Sequence, residues 1–355
     1  MSMLLSMKSA RLVPFLLLLG GCMSSHPRTY VAGQVSSPPV IDGRLDDEAW
    51  AQAPWTEEFI DIEGEAKPRP RFRTRAKMTW DEDNFYVAAW MAEPHVWGSL
   101  TDRDSIIYND NDFEVFIDPD GDSHDYYELE VNALNTQFDL MLTRPYRCGG
   151  TYDIGWDIQG LQTAVDVVGT LNDASDRDEA WTMEIAIPWA SLASHANRPV
   201  PPEDGDHWWV NFSRVQWRHE LVEGVYRRVP EVREDNWVWS KQDAIDMHRP
   251  QYWGRVQFSQ AAPGAGEYEV GGDEHARTQV RRIHAAAETW RSAHGQWPAS
   301  MDDLEGLWEP VKDASLSEPS LETGDGGLVV RFEQELVDGQ VRSWQLGPLC
   351  LLQSR

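Results

Sequence analysis

The sequence predicts an all-β protein, an antiparallel β-sandwich with a small C-terminal extension of one helix and a hairpin. Three observations predict it. Short apolar runs with period-2 alternation recur between turn clusters from residue 39 to residue 259, about eight to ten of them. Helical periodicity of any length is confined to the stretch after Glu274. Trp is abundant, 18 of 355 residues, which suits a large β core or aromatic platforms for a planar or sugar ligand.

The N-terminus, MSMLLSMKSARLVPFLLLLGGC, sets Lys8 and Arg11 before an apolar run at 12–19 and small residues before Cys22. That is the layout of a secretory signal, and the run is too short to span a bilayer as a mature helix. Its ending, LGGC, resembles a bacterial lipobox. Residues 1–21 are therefore expected to be a lipoprotein signal peptide and Cys22 the lipidated first residue of an exported chain, anchored to the outer membrane or cell surface or facing the periplasm. The alternative is an ordinary signal peptide that leaves Cys22 a free thiol. Residues 22–38 are polar and turn-rich and read as a tether.

The fold is expected to start near Pro39, with a turn at Asp42-Gly43 and a brief helical turn at 45–53 carrying Trp50. Strand patterns follow at 71–81 and 85–93, joined by the turn DEDN. After a hairpin at 112–133, further strands are expected within 135–148, 161–172, 180–192, 207–218, 236–241 and 252–259. Residues 260–273, rich in Gly and Ala, read as a linker, and 274–355 as an accessory region. In that region Val280, Ile283, Ala287 and Trp290 recur at helix spacing, and a hairpin turns at Asp338-Gly339. With Cys22 set aside, Cys148 and Cys350 could pair across segments; no CxxC or zinc-ligand spacing occurs.

The hairpin at 112–133 organises the rest. Phe113, Val115 and Ile117 alternate with Glu114, Phe116 and Asp118, and Tyr127, Leu129, Val131 and Ala133 with Tyr126, Glu128, Glu130 and Asn132. Glu114, Glu128, Glu130 and Asn132 thus share the face turned away from the sandwich core. Carboxylates this crowded need solvent, or a sugar, cation or Arg partner. A formal charge of −28 and the lack of Lys/Arg clusters exclude a nucleic-acid partner, because phosphate binding draws on such clusters.

The ordered set VIDGRLDDEAW, FYVAAWMAEPHVWG, DNDFEVFIDPDGDSHDYYELEVNA, WTMEIAIPW, NFSRVQW, NWVWS and YWGRVQFS resembles the carbohydrate-binding family 9-like proteins, relatives of the family-nine carbohydrate-binding modules of xylanases. The likeness covers residues 39–259. It implies a DOMON-like β-sandwich, non-catalytic binding of a poly- or oligosaccharide in carbohydrate catabolism, and structural calcium as an option. In those modules two aromatic rings sandwich the sugar, and a Glu, an Arg and amide side chains hydrogen-bond its hydroxyls. By position Tyr108 and Trp239 correspond to the two platforms and Glu114 to the acidic ligand residue. Glu130 stands where the modules carry their Arg, with Asn132 beside it on the same face.

Asp118, Asp120 and Asp122 in DPDGDSHD resemble the opening of a calcium loop. It is not an EF-hand, since Ser123 replaces the required Gly and Leu129 the bidentate Glu. A plain hairpin turn and a bound cation both remain open. The runner-up function is a glycoside hydrolase using paired carboxylates such as Glu114 with Glu128 or Glu130, which would need to stand about 5–9 Å apart. A third reading, a haem-binding electron-transfer module, would use Met91, His95 or Met141 as axial ligands. GxSxG, HExxH and the P-loop pattern are missing.

Overall fold

The computed structural model describes residues 26–324, 327–347 and 350–354. The expected signal peptide and Cys22 lie outside the described residues. In chain order come β1 (Thr29–Gln34), α1 (Glu48–Gln52), β2 (Ile60–Asp61), β3 (Thr74–Trp80), β4 (Asn84–Ala92), β5 (Asp112–Asp118), β6 (Tyr126–Asn132), β7 (Gln137–Leu142), β8 (Tyr152–Asp153), β9 (Gln162–Val168), β10 (Ala180–Pro188), α2 (Trp189–Leu192), β11 (His207–Gln216), β12 (His219–Val222), β13 (Val225–Arg228), β14 (Asp235–Val238) and β15 (Gly254–Ser259). The C-terminal region adds α3 (Glu274–His294), β16 (Ser320–Gly324), β17 (Gly327–Glu335), β18 (Val341–Leu346) and β19 (Leu352–Ser354).

One sheet runs in the order β8-β7-β6-β5-β11-β15-β1-β3-β4-β10-β9, with β14 beside β11 and β2 beside β14. The sheet curls until its two halves face each other. Val115, Leu129 and Val131 from one half then share a core with Met78, Val87, Met183 and Ile185 from the other. Near the two ends of the sheet, Asn135 Nδ2 donates to Thr163 O at 3.0 Å and Gln137 Nε2 to Thr163 Oγ1 at 2.6 Å. The period-2 pattern explains the layering, because each strand sends one row of side chains into this core.

The fold class is as the sequence predicts, with one difference in pairing. β1 lies parallel to both of its neighbours, β15 and β3, so the sheet is mixed. Those residues were expected to be tether. They are strand because Tyr30 and Ala32 alternate into the core, and the Tyr30 hydroxyl donates to Pro54 O at 2.7 Å and accepts from Met78 N at 3.1 Å. The opening motif is fixed to β10 by buried Glu184, which accepts from Asp42 N, Gly43 N and Trp50 Nε1 at 2.9, 2.7 and 2.5 Å. That contact gives a physical reason for the DG turn and Trp to travel with EIAIPW.

The C-terminal region has a core of its own, in which Ala276, Val280, Ile283 and Ala287 of α3 pack on Leu328, Val330, Phe332 and Trp344. α3 ends at Gly295, left-handed at φ 74°, whose N–H donates to Arg291 O. This region is docked on the sandwich. Glu274 binds Arg255 at 2.9 Å and Arg281 at 2.7 Å. Arg277 stacks over the Trp209 ring at 4.3 Å and donates to Gly121 O at 2.7 Å. A disulfide joins Cys148 to Cys350. The segment read as linker is pinned as well, since Glu269 N donates to Gln257 Oε1 at 2.6 Å and Tyr268 packs edge-on against His207.

The outer face of β7-β6-β5-β11 is covered too. Phe116, Tyr126, Leu140, Leu142, Trp209 and Val238 form a second apolar cluster under the loop that carries Met247 and Trp253. Beside this cluster, on the same face, lies the acidic patch.

Candidate functional site

Strand register brings the acids together. Glu114 faces Glu130 across β5–β6 and Ser213 across β5–β11, while Glu128 faces Phe116, and Phe138 lies beside Glu130 on β7. They floor a pocket of about 530 Å³. Its walls include Phe138, Leu140, Val215 and Met247, and Tyr108, Tyr146, Tyr152 and Ile154 stand at its rim. The three tyrosines are 46%, 44% and 57% exposed, so each has ring surface to offer a ligand. The simple solvated face that the alternation allows is not what forms: Glu114, Glu128 and Glu130 are buried, Glu130 to 2% exposure. Loops from distant parts of the chain, around residues 106, 146–154 and 234–248, wall them in.

The electrostatics are one-sided. Burial, reinforced by Glu114, pushes Asp112 and Glu128 well above the usual carboxylate range, and burial with its acidic neighbours does the same to Glu130. Burial pushes Glu114 up to about 7. Among the described residues, no Lys, Arg or His ion-pairs with any of these four. The nearby arginines are taken, Arg103 by Asp139 and Asp157, and Arg147 by Asp246. His248, on the wall, is pushed down to about 4 by burial, and its Nδ1 lies 3.1 Å from the Tyr126 hydroxyl. It brings no positive charge at neutral pH.

Hydrogen bonds leave part of the floor unsatisfied. Asp112 Oδ1 accepts from Val215 N at 3.2 Å and Glu130 Oε2 from Tyr108 N at 2.8 Å. Asp112 Oδ2 and Glu114 Oε2 accept from nothing. One carboxylate oxygen from each of Asp112, Glu114 and Glu130 lies within 4.8 Å of the others.

Of the residues singled out from sequence, Tyr108, Glu114 and Glu130 meet at this pocket. Asn132 is buried and structural: its Nδ2 donates to Leu100 O and Asp110 Oδ2, and its Oδ1 accepts from Leu134 N and Thr136 N. Trp239 does not present a stacking face. It lies fully in the inner core, tilted against Phe212 at 5.8 Å. Gly254 is pressed against it so closely that a Cβ there would come within 2.2 Å of the indole. The cause is alternation: Val238 takes the outer face, which turns Trp237 and Trp239 inward. Tyr146 and Tyr152 went unread because they sit in irregular chain, where no periodicity aims a side chain.

At the far end of the same hairpin, Asp118, Asp120 and Asp122 cluster as expected of their spacing. Their oxygens already have donors. Asp118 accepts from Gly121 N and Ser123 N at 2.9 and 3.0 Å, and Asp122 from His124 N at 2.7 Å. Of the haem-ligand candidates, Met91 and Met141 belong to the inner core, and His95 Nδ1 lies 3.0 Å from the Tyr226 hydroxyl. Glycoside hydrolysis needs carboxyls on opposite sides of the scissile bond. Glu114 and Glu130 are cross-strand neighbours in one floor, on the same side of anything above them.

Two structures of a family 9 carbohydrate-binding module from Caldicellulosiruptor kristjanssonii, one in complex with cellotriose and one with glucose, are similar at 16% and 17% identity. Each covers 69% of this chain and 100% of its own, with a TM-score of 0.44. No curated protein matches the chain. The model of the family described as "carbohydrate family 9 binding domain-like" matches residues 41–201, a span that holds the opening motif, the organising hairpin, Tyr108 and all four floor carboxylates. Over that span the chain is similar to the carbohydrate family 9 binding domain-like proteins.

Proposed function

We propose that this chain is a non-catalytic binder of a poly- or oligosaccharide, seated in the pocket above Glu114, Glu128 and Glu130. The observation that carries the reading is the combination of an acidic floor with an exposed tyrosine rim inside the matched family region. Pyranose rings offer apolar C–H faces that suit aromatic rings, and their hydroxyls are donors that suit carboxylates. Tyr108, Tyr146 and Tyr152 supply the first, and the floor supplies the second. In the same reading the chain works as an exported lipoprotein in carbohydrate catabolism, held to a membrane through Cys22.

A glycan-array screen of the purified chain tests the activity. The Tyr108→Ala/Tyr146→Ala double variant is expected to weaken binding of any captured glycan tens-fold, since each stacked ring contributes on the order of 1 kcal/mol beyond area burial. Unchanged affinity with an intact circular dichroism spectrum would overturn the site. For the anchor, Cys22→Ala is expected to move the chain from the membrane pellet to the soluble fraction. Continued sedimentation, with no uptake of labelled lipid by the parent, would overturn that part.

A further inference from the structure

We infer that Asp112, Glu114 and Glu130 chelate one hard divalent cation of the calcium class beneath the pocket floor. The first support is geometric. An ion with oxygen contacts of about 2.3–2.6 Å can touch three carboxylate oxygens only if they are close to one another, and these lie within 4.8 Å. The register makes it so: Glu114 and Glu130 face each other, and Asp112 is the next residue of β5 on the same face.

The second support is independent of proximity. Asp112 Oδ2 and Glu114 Oε2 are buried and accept no hydrogen bond. Buried polar atoms in folded proteins are nearly always satisfied, so two orphaned acceptors on one cluster point to a ligand that supplies positive charge. Among the described residues nothing else supplies it. The other two compact acidic groups differ on this count. Asp104, Asp139 and Asp157 surround Arg103, and the hairpin turn uses backbone N–H groups. A set of carboxylate oxygens alone selects a hard ion over zinc or copper. Glu114 and Glu130 line the open pocket, which gives the ion a way in and leaves its outer positions to water or a ligand hydroxyl.

The inference goes beyond sugar binding and is tested without sugar, so the two can fail separately. The full chain, purified in detergent and stripped with a chelator, is titrated with Ca²⁺ alone by calorimetry and thermal melting. One site is expected that Asp112→Asn weakens at least tenfold and that Asp120→Asn, in the hairpin turn, leaves in place. Glu130→Arg sets a guanidinium among the remaining carboxylates. That variant is expected to lose the site and to melt, metal-free, at or above the temperature of the calcium-loaded parent, which keeps the test decisive should Asp112→Asn fail to fold. The inference is overturned if the parent takes up no ion at millimolar Ca²⁺. It is equally overturned if Glu130→Arg binds Ca²⁺ as the parent does.

Discussion

Buried charge appears twice in this molecule, in opposite arrangements. Under α3, Glu274 lies between Arg255 and Arg281, and Arg277 binds Asp273 at 2.7 Å. Burial alone would raise Glu274, but the two arginines outweigh it and hold the carboxyl down at about 2. At the pocket floor four carboxyls are buried among themselves and all are pushed up. Taking a charge out of water is costly, and a partner in good geometry offsets the cost. The seam under α3 has its partners built in and serves to join two cores. The floor lacks them, and a surface that lacks a partner internally is disposed to take one from outside.

The comparison breaks first at the seam. Arg255→Ala would leave half-buried Glu274 with Arg281 alone, and the expected loss is about 1.5–3 kcal/mol, read by urea unfolding of the full chain. A loss near zero would mean that the seam is solvated and not the paired counterpart of the floor. The floor should respond with the opposite sign and a smaller size. In chelator-treated protein at pH 8, Glu130→Gln removes one of several repelling charges and is expected to stabilise by about 1 kcal/mol. Destabilisation would show that Glu130 has a positively charged partner after all.

The smallest effect is on pH dependence, and it sharpens the contrast. Glu274 has a depressed value when folded, so its contribution is present above its unfolded value of about 4.3 and is lost as pH falls through about 2. Glu114 has a raised value. Its contribution is present below about 4.3 and is lost as pH rises through about 7. Melting curves of the metal-free chain should therefore drop between about pH 4 and 7, less so in Glu114→Gln, and drop again in acid, less so in Glu274→Gln. A single acid transition common to both variants would remove the distinction.

The fold was largely legible because period-2 alternation and turn residues are local signals. The hairpin at 112–133 was read with both of its faces. β1 was not, since six residues framed by Ser, Pro and Gly carry too little pattern to announce a strand whose partners lie at opposite ends of the domain. The site divides in the same way. Glu114 and Glu130 could be put on one face from sequence, but their burial depends on loops more than 100 residues downstream. Trp239 was misplaced because a motif match fixes position, whereas the alternation of its neighbours along β14 fixes direction.

The disulfide between Cys148 and Cys350 spans 202 positions, and it starts next to Tyr146 on the pocket rim. The bond can close only after residue 350 has emerged from the ribosome. The floor residues are therefore all made well before the Cys that braces the wall. Biogenesis thus has a built-in order, in which a residue made 202 positions later finishes a surface begun earlier in the chain. A copy cut at the end of the sandwich would be born with that surface left unfinished.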